Sequence, residues 1–341
     1  MLAIDASHGE GGGQLVRTAV ALAAITGKAI RLDNVRAGRD KPGLAPQHLA
    51  GVQAVAALCD AACDGLALGA RAFGFVPRRL KGGEFQVDVG TAGSITLVLQ
   101  AMLPALACAP GPSRVRVTGG TDVRAAPPLD YFRQVLLPLL GRMGVRAHCR
   151  CVRRGYYPRG GGEVEVAVEP AALKPLELDA PGRLIGIEGL AHVANLPLNI
   201  AERMRGAAVA SLAHPGRPVA IDAAALARDE AIGTGGAIVC WARTQHAVLG
   251  AGRAAERGVR AEALGEATGS ELAADLAANA CLDAHAADQI LIYLALAGGR
   301  FSTRRLSSHA LTAMWLIGQF MPVRFDVASG PGLARVEVVR L

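Results

Sequence analysis

The sequence predicts an α/β fold in which mixed sheets pack against helices, and three observations carry that prediction. The 341 residues are 51% hydrophobic and only 19% charged, enough apolar side chain for a large core and too little charge for a disordered chain. Short runs with period-two alternation, such as Phe85, Val87 and Val89, are interspersed with longer apolar segments at helical spacing. As far as about residue 170, a strand pair, a helix, a strand and a helix recur in cycles of roughly 70–80 residues with glycine-rich joints. The pattern is too degenerate to establish a repeat by itself.

Taken in order, Leu2 to Ala6 reads as a strand and Gln14 to Thr26 as a mostly buried helix that ends at Gly27. Ala29 to Val35 is a second strand, and Gln47 to Cys59 carries apolar residues at helical spacing. Leu66 to Pro77 reads as a strand pair and Glu84 to Val89 as an alternating strand. Thr91-Ala92-Gly93-Ser94 turns or caps the chain before a helix over Ile95 to Cys108, where Pro104 is expected to kink or divide it. Gly111-Pro112 breaks that helix and Arg114 to Thr118 is a strand. Gly119-Gly120-Thr121-Asp122 leads through Pro127-Pro128 into a helix over Tyr131 to Met143. Val145 to Cys151 is a strand, Gly155 to Gly162 a tight loop, and Glu163 to Val168 another strand.

Composition changes after Pro170. Asp179 to Gly189 is turn-rich, Asn199 to Leu212 is helical, Pro215 to Pro218 breaks that helix, and Val219 to Ile221 is short and extended. Gly233-Thr234-Gly235-Gly236 precedes a strand over Ala237 to Ala242 with a hairpin partner at His246 to Gly250. Gly252-Arg253 and Gly258-Val259 open a polar stretch before a helix over Ser270 to Asp283. We therefore expect a small inserted α/β domain at 181–275, within a large domain made of 1–180 and 276–341. The last segment returns to the earlier style, with apolar Ile290 to Leu296, Phe301, a helix over Ser308 to Phe320, and strands Val323 to Val327 and Ala334 to Val339.

A formal charge of +7 permits a polyanionic partner without establishing one, since alanine and arginine are both used heavily. The cysteines, Cys59, Cys63, Cys108, Cys149, Cys151, Cys240 and Cys281, are odd in number and sit mostly in apolar runs. That fits buried thiols in a reducing compartment better than a disulfide framework. Cys149 and Cys151 lack a second pair at zinc-site spacing. No signal peptide precedes the first glycine loop, and the longest apolar runs are too short to span a bilayer. A cytoplasmic protein without a membrane partner is the expectation, and no obligate protein partner is evident.

Two polar stretches hold the chemistry. Gly9-Glu10-Gly11-Gly12-Gly13-Gln14-Leu15-Val16-Arg17 can offer backbone N–H groups and a helix N-terminus to an anion, or it can be a tight strand-to-helix turn. It matches neither the dinucleotide fingerprint nor the P-loop. Arg17, Arg36, Arg39 and Lys41 form a cationic set whose arginines suit phosphate oxygens. Ordinary solvation explains any one of them, but three in loops shaped by glycine and proline weaken that explanation. Near the other end His309 starts a helix after Ser307-Ser308 and Arg304-Arg305. A neutral imidazole there is a nucleophile toward a phosphoryl centre, or a plain cap or surface residue. Glu10 and Asp288 are candidate carboxylates for a divalent ion, or a cap and a salt bridge. Tyr156-Tyr157 beside Arg153, Arg154 and Arg159 reads as an exposed hairpin tip in preference to a strand-binding edge.

The order of these motifs carries more. Asp5, Gly9-Glu10-Gly11-Gly12-Gly13-Gln14 and Arg17, then Arg36-Ala37-Gly38-Arg39, Lys41-Pro42-Gly43-Leu44 and Gln47-His48, resemble the RNA 3′-terminal phosphate cyclase family. So do Gly93-Ser94 with Leu97-Val98-Leu99-Gln100, Gly119-Gly120-Thr121-Asp122, Ala126-Pro127-Pro128, Gly160-Gly161-Gly162, Ala287-Asp288-Gln289, and His309 with Leu311-Thr312. The resemblance spans nearly the whole chain and is weakest over about 180–275. It implies a large domain of repeated units, each with two helices on a four-stranded sheet, and a small inserted α/β domain.

It also implies conversion of an RNA 3′-phosphate to a 2′,3′-cyclic phosphodiester using ATP and Mg²⁺ or Mn²⁺, through covalent histidyl-AMP and RNA(3′)pp(5′)A. By the same resemblance His309 is the AMP acceptor. Glu10, Gly12, Gly13, Gln14, Arg17, Pro127, His285, Asp288 and Gln289 bind the nucleotide, with Glu10 also at the metal, and Arg36, Arg39 and Gln47 face the RNA end. His285 stands where relatives can carry a tyrosine that stacks on adenine, and Ala313 where an asparagine is common. The sequence does not show which side chain accepts the 2′-OH proton, and His48 is no more than a weak candidate. Two other classes stay in play, a non-catalytic RNA-binding or ribosome-assembly protein and a transferase acting on small phosphorylated metabolites.

Overall fold

The computed structural model describes residues 1–213 and 218–341, so most of the expected break at Pro215 to Pro218 lies outside the described residues. The chain is mixed α/β. Strand β1 (Leu2–Asp5), helix α1 (Gly13–Thr26), β2 (Ile30–Asp33), α2 (Pro46–Leu58), β3 (Ala62–Asp64) and β4 (Phe73–Val76) come first. Their sheet has the order β1-β2-β4-β3, with β1 and β2 parallel and the other neighbours antiparallel. Gly27 closes α1 in the left-handed conformation, as the sequence suggests.

The next group is β5 (Gly83–Asp88), α3 (Ile95–Ala107), β6 (Ser113–Gly119), a helical run of α4 (Leu129–Tyr131), a π turn (Phe132–Leu136) and α5 (Leu137–Arg142), then β7 (Arg146–Gly155) and β8 (Gly162–Glu169). These strands repeat the pattern, β5-β6-β8-β7, again with only the first pair parallel. Pro104 does not divide α3. Every residue of α3 except Gln100 is buried, and that burial outweighs the roughly 3 kcal/mol a proline costs inside a helix.

Then come β9 (Leu176–Glu177), β10 (Leu184–Ala194), α6 (Leu198–Leu212), β11 (Val219–Leu226), β12 (Ala231–Ile232), β13 (Gly235–Thr244), β14 (Val248–Ala254) and α7 (Ala261–Ala277). The sheet here has a different order, β11-β10-β13-β14, while β12 reaches across to pair with β7. The chain ends with α8 (Ala284–Ala297), β15 (Gly299–Thr303), α9 (Ser308–Phe320), β16 (Val323–Gly330) and β17 (Leu333–Arg340). β9 joins these last strands in the order β9-β15-β17-β16, the first pair parallel once more. One apolar core runs through α1, α2, α3, α8 and α9. No helix among the described residues is long and apolar enough to cross a membrane.

Several expectations are corrected. The strand pair placed at Leu66 to Pro77 is β3 with β4, and Leu66 lies in the loop between them. Asp179 to Gly189 is not all turn, because β10 begins at Leu184 and is bonded on both sides by β11 and β13. Its Gly189 is a packing requirement, since a Cβ there would press on the Val239 carbonyl and the Ile221 side chain. The stretch after Gly252-Arg253 is still strand as far as Ala254. The helix expected at Ser270 to Asp283 is α7, which starts nine residues earlier, while Asp283 caps α8. All seven cysteines are free, although Cys63 is exposed.

The Tyr156-Tyr157 stretch is not a simple exposed tip. Tyr157 is exposed, but Tyr156 is buried and packs with Ala194 and Ala231. Beside it Arg154 Nη1 donates to Asp122 Oδ2 at 3.0 Å and Nη2 to Asp130 Oδ2 at 2.6 Å. His192 on β10 lies between the same carboxylates, 3.6 Å from Asp122 and 3.9 Å from Asp130. Burial alone would raise the Asp122 carboxyl, but the Arg154 guanidinium holds it well below the usual range. This cluster joins β7 to β10.

Candidate functional site

The start of α1 is built for close approach. Its N-cap is Gly12 and no side chain among the described residues caps it, so the leading N–H groups keep their donor capacity. A Cβ at Gly12 would run into Glu10 Oε2 and Arg39 Nη2, and one at Gly13 into His48 Nε2. The glycines are there because three functional side chains crowd the backbone. Glu10 forms an ion pair with Arg39 from the second polar stretch. Its backbone N–H donates to Thr312 Oγ1 at 3.3 Å, and Thr312 in turn donates to the Ser308 carbonyl at 2.8 Å. The first loop is thereby fixed against α9.

That contact brings His309 to Glu10. His309 is the second residue of α9, whose N-cap Ser307 accepts from the Ala310 N–H at 3.0 Å and donates to Asp288 Oδ1 at 2.6 Å. His309 Nδ1 lies 3.5 Å from Glu10 Oε2 and has no hydrogen-bond partner, and the side chain is 42% exposed. Burial, then the cations Arg17 and Arg39 and the nearby His285, lower its pKa below the ordinary imidazole value. That shift favours the neutral ring.

A cavity of about 500 Å³ opens beside His309, and Gln14, Arg17, Pro127, His285, Asp288 and Gln289 all line it. Arg17 has no carboxylate partner among the described residues, and burial pushes its guanidinium down to about 10. A half-buried cation of this kind, without a carboxylate beside it among the described residues, favours the arrival of an anion. Gln14 Oε1 and Gln289 Oε1 are buried without partners, while Gln289 Nε2 donates to the His285 carbonyl at 3.0 Å. Asp288 is pushed up to about 6 by burial. His285 is exposed on the first turn of α8, edge-on to Tyr131 with ring centroids 6.1 Å apart. Asp283, the cap of α8, accepts from His285 N–H and Tyr131 Oη–H and so fixes that turn.

Not every expected residue reaches the cavity. Arg36 Nη1 donates to the Lys41 and Gly43 carbonyls at 3.0 and 2.7 Å, shaping the loop that carries Arg39. Gln47 Oε1 accepts from the Ser94 N–H at 3.0 Å and ties α2 to the start of α3. Neither residue lines the cavity. His48 is corrected as a proton acceptor. Its Nδ1 accepts from the Ala45 N–H at 3.3 Å, which puts the remaining proton on Nε2, and burial with Arg17, Arg36 and Arg39 pushes it down to about 3. It is a donor beside Gly13 and no base.

Sequence reading missed Arg124, Arg253, Glu256 and Glu271, which also line the cavity. Arg124 follows the Thr121-Asp122 motif and could have been flagged. The other three sit on β14, the loop after it and α7, where the fold alone turns them inward. Among the described residues no group of three or more His, Cys, Asp or Glu is placed to hold a metal ion. Glu10 is a single carboxylate beside an anion cradle, a donor set that fits an ion completed by phosphate oxygens. Chemically, the arrangement can seat a polyphosphate on Arg17 and the start of α1 with a neutral imidazole at its edge.

The family model for RNA 3'-terminal phosphate cyclase matches residues 8–327. Among curated proteins, the chain is 54% identical to the RNA 3'-terminal phosphate cyclase of Nitrosospira multiformis, covering 99% of this chain and 96% of the relative. It is 46% identical to the protein of that name from Hyperthermus butylicus, over 94% of this chain and 92% of the other. With that of Pyrococcus furiosus it shares 40% identity over 100% and 99% of the two chains.

Proposed function

The chain belongs to the RNA 3'-terminal phosphate cyclase family, and from that premise we propose that it closes an RNA 3′-phosphate into a 2′,3′-cyclic phosphodiester at the expense of ATP. The observation that carries this reading is His309 held 3.5 Å from Glu10 at the edge of a cavity where Arg17 has no carboxylate partner among the described residues. We take the neutral ring to carry its proton on Nδ1, the edge nearer Glu10, which leaves the Nε2 lone pair free for attack.

In this reading Nε2 bonds to the α-phosphorus of ATP and the bond to pyrophosphate breaks, leaving AMP on His309. An oxygen of the RNA 3′-phosphate then attacks that phosphorus and releases His309, giving RNA(3′)pp(5′)A. Last, the neighbouring 2′-OH attacks the terminal RNA phosphorus, loses its proton and expels AMP. The hydroxyl is already next to the phosphate, so ring closure gains a large effective molarity. Arg17 and the start of α1 seat the nucleotide phosphates, Gln14, Gln289, Pro127 and His285 line the nucleoside, and Arg39 serves the RNA end. Arg36 and Gln47 act by shaping the loops around it. Mg²⁺ or Mn²⁺ held by Glu10 and phosphate oxygens would offset charge on the phosphoryl group.

We also read the three sheets of like order as repeated units of one large domain, 1–180 with 276–341. The segment 181–275 is then a small domain inserted between β9 and α8, and its different strand order supports that division.

Incubation with α-labelled ATP and either metal should leave acid-labile label on the wild type and none on His309→Ala. RNA with a 3′-phosphate should become resistant to phosphatase only with the wild type. No label with either metal, or full labelling of His309→Ala, overturns the assignment.

A further inference from the structure

Helix α7 belongs to the sheet of different order, yet two of its acids reach the loop that presents His309. Asp275 Oδ1 accepts from Arg304 Nε at 2.7 Å, and Glu271 Oε1 pairs with Arg305 Nη2 at 3.3 Å. Glu271 and Asp275 are four residues apart and so share one face of the helix. Arg304 and Arg305 are successive residues, five and four positions before His309. From the opposite side Asp288 on α8 takes the Ser307 hydroxyl. Three carboxylates therefore grip the five residues, 304–308, that lead into the candidate nucleophile.

The base of this grip is stiff. A Cβ at Gly265 would strike the Met204 carbonyl, and one at Gly269 would meet the Ala208 carbonyl and Ser211. α7 thus lies backbone to backbone on α6 and cannot slide without losing that fit. Asp275 is buried, so its charge has no water to fall back on and depends on Arg304. Glu271 also takes Arg253 Nη2 at 2.8 Å, which ties β14 into the same grip.

We propose that α7 positions the nucleophile: Asp275 and Glu271 hold Arg304 and Arg305 so that His309 meets the nucleotide in line. The proposal rests on His309 being the AMP acceptor. Asp275 and Arg304 are positioning residues, since neither lines the cavity.

The test is a double-mutant cycle on the single-turnover rate of protein labelling by α-labelled ATP, with ATP affinity measured alongside by equilibrium binding. Asp275→Asn and Arg304→Gln should each slow labelling about tenfold or more, since small misplacements of a reacting group cost that much. ATP affinity should stay within about twofold, and the double variant should be no slower than the slower single one. Arg304→Lys keeps the charge on a partly exposed site and should fall between, which keeps the question open to measurement if Asp275→Asn does not fold. Unchanged labelling in Arg304→Lys and Arg304→Gln, or a loss explained wholly by weaker ATP binding, overturns the proposal. Absence of label on the wild type would instead overturn the assignment of His309, whereas a labelled wild type with indifferent variants sinks the grip alone.

Discussion

The molecule sets a histidine among carboxylates and an arginine twice, and the two places differ in what surrounds them. At His192 the partners are Asp122, Asp130 and Arg154, the histidine and Asp122 side chains are 0% exposed, and the arginine closes on both acids. At His309 the partners are Glu10 and Arg39, the side chain is 42% exposed, and the cavity lies alongside. The buried cluster uses its charges to join two sheets. The open one leaves Arg17 without a carboxylate and an imidazole nitrogen without a hydrogen-bond partner among the described residues. Residue types alone do not separate a joint from a site; an unanswered charge beside empty space does.

Replacing the arginine of the buried cluster should show the larger effect. Arg154→Met leaves two facing carboxylates uncompensated and should lower stability by about 3–5 kcal/mol, read as the denaturant midpoint, with labelling per folded molecule unchanged. His309→Ala should change stability by no more than about 0.5 kcal/mol, as for an ordinary surface site. Equal losses in the two variants would erase the distinction. Arg39→Ala should slow labelling by about 10²-fold, the scale for removing one group that offsets transition-state charge, and Arg39→Lys by less. Equal rates for the two would refute a role for the guanidinium fork.

The smallest effect is in pH. Protonation removes the lone pair, so labelling is present above the His309 pKa and lost below it. Because that pKa is lowered, the rate should hold as pH falls through the ordinary value of about 6.5 and decline only below it. Arg39→Ala removes one of the cations responsible and should move the decline to higher pH.

Much of the site was legible in sequence because its demands on the chain are local. Gly12 and Gly13 announce crowded backbone, and Ser307 before His309 announces a helix start. What was illegible depends on partners distant in sequence. Gly189 looked like part of a turn and is the middle of a central strand, and nothing local in the sequence marks Gly265 and Gly269 as a helix seam. Glu271 carries no local signal, because its place on the cavity wall comes from α7 packing on α6 and β14. The buried Tyr156 was misread for the same reason, its cover coming from residues 194 and 231.

Glu10 and Thr312 are joined across 302 positions of sequence. A ribosome making this chain lays down the glycine loop about 300 residues before the helix that fixes it. A product cut short before α9 would keep the glycine loop and its arginines and lose the hydroxyl that fixes them.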